Sequence, residues 1–136
     1  MRRIVFVVAF VFLVALSARA QDPVKVDPQH YKVESENSQV RVLRIHYGPH
    51  EKSVMHEHPA GVAVFLTDQH GKFTFPDGKT QDVSAKAGET RWIPGGKHLP
   101  ESLSDKPFDL ILVELKAKPA AAKHPAAAKK PAGKKS

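Results

Sequence analysis

Gly88-Glu89-Thr90-Arg91-Trp92-Ile93-Pro94-Gly95-Gly96-Lys97-His98 is the stretch on which the fold of this 136-residue chain turns. A short β-prone run is closed by a Pro-Gly-Gly reversal and returns directly into a histidine. Upstream stands His56-Glu57-His58, ending 98 − 58 = 40 residues before His98. In a strand, positions i and i+2 share a face, so His56 and His58 bring two imidazoles close enough for one metal ion.

Outward from these two stretches the chain reads as short β-prone runs divided by turn residues. The expected strands are Tyr31 to Glu34, Gln39 to Tyr47, Lys52 to His58, Val62 to Leu66, Lys72 to Phe75, Gln81 to Ala85, Thr90 to Ile93, His98 to Ser102 and Phe108 to Glu114. No window holds a helical apolar stripe over three turns, so the class is all-β, a sandwich or barrel. Pro76-Asp77-Gly78 supplies a tight hairpin. Phe108, Leu110 and Leu112 alternate with Ile111 and Val113, giving a strand apolar on both faces and therefore central. Val54 is read on the face of His56 and His58. Leu43, Ile45 and Tyr47 point inward, which leaves Arg44 and His46 outside.

His-x-His alone reads as two histidines on a solvated strand. The second stretch changes that reading, because Gly88, five residues, Pro94, Gly96 and His98 together with His56 and His58 resemble the cupin superfamily over roughly residues 48 to 102. The resemblance implies a small jelly-roll barrel whose two motifs face each other and hold a divalent metal, often iron, manganese, zinc, nickel or copper. It implies His56, His58 and His98 as ligands, a small molecule bound in the barrel, and a homodimer formed through outer strands.

The pattern departs from the family's in three places. The glutamate that follows the second histidine is replaced at both candidate places, Val62 and Ala63. Gly48 stands further from His56 than usual, and His98 stands closer to Gly96. Glu51, Glu57 and Glu101 are the substitute carboxylates to consider, with Glu57 directed to the opposite face. Three histidines suffice for an open-faced site. His50 and His70 are read in loops, His124 in the tail, and Trp92 as a packed or rim aromatic.

The ends of the chain have their own chemistry. Met1-Arg2-Arg3, the apolar run Ile4 to Leu16 and Ala18-Arg19-Ala20 have the order of a secretory signal peptide over 1–20, cleaved after Ala20. Residues 21–30, with Pro23 and Pro28, read as an extended lead-in to a domain over 31–115. There is no cysteine, so neither disulfides nor thiolate ligands contribute. The net charge of +7 divides unevenly: 21–115 carries 11 Lys+Arg against 14 Asp+Glu, or −3, whereas 116–136 carries seven lysines and no acid. That Lys/Ala/Pro-rich tail is expected to be disordered.

These features predict an exported protein, periplasmic or secreted. One reading is a metal-binding barrel, with a metal-dependent dioxygenase or isomerase as its catalytic form; no separate acid, base or nucleophile stands out. The other is an envelope-associated module whose tail contacts anionic polymers or a membrane surface. The tail lacks interleaved aromatics, so no specific nucleic acid is expected.

Overall fold

In the computed structural model, residues 21–117 are described, and they build two antiparallel sheets packed face to face as a jelly-roll barrel. The expected signal peptide, and the tail from position 118, lie outside the described residues.

After a one-turn helix α1 (Pro23–Val26) come β1 (Tyr31–Glu36), β2 (Val40–Tyr47), β3 (His56–His58), β4 (Gly61–Phe65), β5 (Gln69–Thr74), β6 (Thr80–Ala85), β7 (Thr90–Ile93), β8 (Gly96–Ser102) and β9 (Phe108–Leu115). One sheet has the order β1-β2-β9-β4-β7 and the other β3-β8-β5-β6. All nine expected strands are present, and β9 occupies the middle of its sheet as its two apolar faces require.

The β2–β9 register sets Leu43 opposite Leu112 and Ile45 opposite Leu110, while β4 brings Ala63 to the other side of Leu112. Alternation turns Leu43, Ile45, Tyr47, Phe65, Phe108 and Leu112 into the barrel, where they form the core with Tyr31. Full burial of such side chains contributes about 1.5–3 kcal/mol each. Arg44 and His46 face outward, and His46 pairs with Asp109 at 3.1 Å.

Two glycines have conformational reasons to be there. Gly78 closes the β5–β6 hairpin at φ 81°, with its N–H donating to the Phe75 carbonyl at 2.9 Å. Gly61 lies against β9, where a Cβ would sit 2.3 Å from the Val113 carbonyl oxygen.

Three local expectations are corrected. The lead-in is not wholly extended: Asp22 accepts a hydrogen bond from the Val24 N–H at 3.1 Å, and Pro23 opens α1 with a preset φ. The third strand is shorter than read, because Lys52 makes only an isolated bridge to Glu101 and the chain leaves regular pairing before His56. Val54 therefore falls off the histidine face and is exposed. His70 lies within β5, which starts at Gln69, and not in a loop.

Candidate metal centre

Register assembles the three histidines. On β3, His56 and His58 point inward while Glu57 between them is half-buried, as the period of two demands. On β8, His98 is the cross-strand partner of His56. The rings stand close: centroids are 4.8 Å apart for His56 and His58, 5.1 Å for His56 and His98, and 5.5 Å for His58 and His98. One ligand atom from each lies within 4.8 Å of the others. Phe73 stacks on the His98 ring at 4.3 Å and fixes its plane.

The outer nitrogens of the β3 pair are both engaged by acceptors. His56 Nδ1 lies 2.8 Å from the Val54 carbonyl oxygen, and His58 Nδ1 lies 2.6 Å from Glu114 Oε1. A carbonyl and a carboxylate can only accept, so both Nδ1 atoms carry the proton. The consequence is that His56 Nε2 and His58 Nε2 face each other at 3.1 Å. Two imidazole lone pairs at that distance repel unless a proton or a metal ion lies between them. The spacing also matches two nitrogens bound about 2.0–2.1 Å from one ion at roughly a right angle. The donor set therefore fits a divalent transition metal.

Burial, followed by the nearby His58, lowers the pKa of His56 to about 4. Burial, His58 and His56 lower that of His98 to about 3. Both imidazoles are neutral at physiological pH, the form that binds metals.

None of the three substitute carboxylates joins the histidines. Glu51 accepts from the Gly48 N–H and from His30, and Glu101 pairs with Lys72 at 3.1 Å. Glu57 faces away, with its N–H donating to the Gln21 carbonyl at 3.0 Å. At the family glutamate's two places, Val62 is only half-buried while Ala63 points inward with a methyl group.

The carboxylate that does reach the site is Glu114, which the sequence reading missed. It is 1 % exposed, supports His58 from behind, and is held in turn by Arg41 Nε at 2.6 Å. Burial works to raise its pKa, but the hydrogen bonds from His58 and Arg41 hold it below the ordinary carboxylate range. Such a carboxylate sets the tautomer and direction of a ligating histidine. Its signal was available, since Glu114 continues the inward alternation Phe108, Leu110, Leu112.

Beside the histidines lies a cavity of about 500 Å³, walled by Phe65, Phe73, Phe108, Leu110 and Leu112 and bordered by His58 and His98. That volume suits a small organic ligand. Trp92 stands at its rim and is largely exposed.

The fold has counterparts among solved structures. A cupin domain from Bordetella pertussis Tohama I is similar to this chain at 25% identity and a TM-score of 0.59, over 64% of this chain and 92% of that one. A Klebsiella pneumoniae protein with a double-stranded β-helix domain is similar at 20% identity and a TM-score of 0.51, over 62% and 74% of the two chains. No family model and no curated protein matches the chain.

Proposed function

We propose that this chain of the cupin superfamily is an exported protein that binds one divalent transition metal through His56, His58 and His98. The observation that carries the proposal is the pair of inward Nε2 atoms 3.1 Å apart, each on a ring whose Nδ1 proton is already committed to an acceptor. His98, directly across the strand pair, completes a three-nitrogen face. Three protein ligands leave coordination positions open. Here they adjoin an apolar cavity, which supports capture of a small molecule beside the ion.

When bound, the metal supplies Lewis acidity toward a ligand atom. The chain's own residues do the rest. Glu114 fixes the His58 tautomer, the Val54 carbonyl fixes that of His56, Phe73 sets the His98 ring, and Phe65, Phe73 and Phe108 give the adjoining cavity an apolar wall.

Equilibrium dialysis against iron(II), manganese, zinc, nickel and copper(II) tests the proposal. The expected result is close to one ion per chain for at least one metal, with uptake abolished when His56, His58 and His98 are all changed to alanine. Equal uptake by the triple variant would remove the site.

A further inference from the structure

The segment before β1 does more than lead into the barrel. Its Gln21 carbonyl accepts from the Glu57 N–H between the two β3 histidines, tying the segment to that strand. From there two chains of polar contacts run inward, each ending on the outer nitrogen of a histidine.

The first begins at Asp22. Its Oδ2 accepts from Arg41 Nη1 at 2.9 Å, Arg41 Nε donates to Glu114 Oε2 at 2.6 Å, and Glu114 Oε1 accepts from His58 Nδ1 at 2.6 Å. The second centres on Asp27, which is buried. Its Oδ2 accepts from the Ser53 hydroxyl and lies 2.7 Å from His30 Nδ1. Ser53 Oγ is 3.5 Å from His56 Nδ1, alongside the Val54 carbonyl that accepts from the same nitrogen. His30, itself buried, is clamped by stacking on Tyr47 at 4.2 Å and by Glu51 Oε2 at 3.0 Å from its Nε2.

A solvated linker has no reason to bury an aspartate and a histidine, because unpaired polar groups in the interior are costly. Here both are hydrogen-bonded, and the network they form ends on the histidines. We infer that Asp22 and Asp27 are positioning residues for the histidine triad: Asp22 acts through Arg41 and Glu114 on His58, and Asp27 acts through Ser53 on His56. Together they hold in place both rings, whose Nδ1–H tautomers Glu114 and the Val54 carbonyl set, with Nε2 turned into the barrel. The effect on metal affinity rests on the proposed metal site, whereas the effect on the ring positions does not.

The test compares the full chain with an Asp22→Ala/Asp27→Ala pair and an Asp22→Asn/Asp27→Asn pair. Cobalt(II) is the metal probe, and histidine ¹⁵N spectra are taken of the metal-free proteins. The alanine pair is expected to bind cobalt(II) up to about 10-fold more weakly, the low end of the range for groups that touch a ligand directly. Its visible cobalt bands should shift, and the ¹⁵N resonances of His56 and His58 in the metal-free protein should move as the rings lose their fixed positions. The asparagine pair keeps the shape and one acceptor without the charge, so a smaller change in the same direction is expected; it decides the matter if the alanine pair does not fold.

Unchanged His56 and His58 resonances and cobalt bands in a folded variant would overturn the inference, even if affinity fell with general stability. Failure of the parent chain to take up cobalt(II) would count against the metal site instead. The histidine resonances would then decide: shifts at His56 and His58 in the variants uphold the positioning role, and unchanged resonances refute it.

Discussion

Replacing Glu114 by alanine is expected to destabilise the metal-free fold by about 3 kcal/mol, the low end of the cost of removing one partner from a buried ion pair, because Arg41 keeps Asp22. The carboxylate is 1 % exposed and contacts both Arg41 Nε and His58 Nδ1 at 2.6 Å. Truncation would leave a guanidinium whose side chain is only 17 % exposed with Asp22 on one side and a void on the other, and a histidine N–H without its acceptor. Urea unfolding of the parent and the Glu114→Ala variant, with the midpoint and slope both recorded, measures the loss. A change below about 1 kcal/mol would mean that solvent already screens the pair as it does at surfaces.

A second large effect is expected on acidification of the metal-free protein. In the unfolded chain His56 takes up a proton near the ordinary imidazole pKa of about 6.5, but in the fold it resists protonation until about pH 4. Between these values the unfolded state binds more protons, so stability is fully present above pH 6.5 and is lost as pH falls toward 4. For His56, which is wholly buried, the loss is on the order of 3 kcal/mol. His98 acts in the same direction over a window reaching to about pH 3. Thermal unfolding at half-unit pH steps reads this slope, and His56→Gln should flatten it between pH 6.5 and 4. An unaltered slope in that variant would show that another group controls acid stability.

The all-β class and the shared face of His56 and His58 were legible from the alternation of extended strands. The jelly-roll barrel and His98 as the third ligand were legible only through the resemblance of the later glycine, proline and histidine stretch to the cupin superfamily. Glu114 obeys the same period and closes the expected strand Phe108 to Glu114, but a reading of that strand as apolar on both faces gives its last residue no role. Continuing the inward series by two positions would have found it.

Asp27 and His30 belong to a different class. They lie in a ten-residue segment with no periodicity, and their contacts are Ser53 and Glu51, 26 and 21 residues further along the chain. Only the packing of that segment against β3 brings these groups together, which no local pattern encodes. The helix that starts the segment was partly readable, since Asp22-Pro23 has the composition of an N-cap followed by the first helical residue. The two prolines instead suggested extended chain throughout.

The central claim is that three histidines form one metal site, and anomalous diffraction from crystals soaked with zinc, recorded on both sides of its absorption edge, tests it most directly. The account predicts a single strong peak about 2.0–2.1 Å from a nitrogen of each of His56, His58 and His98, with His56 and His58 ligating through Nε2 and Glu114 still hydrogen-bonded to His58 Nδ1. Anomalous density absent from between those rings, or bound instead to the exposed histidines His46 and His50, would contradict it.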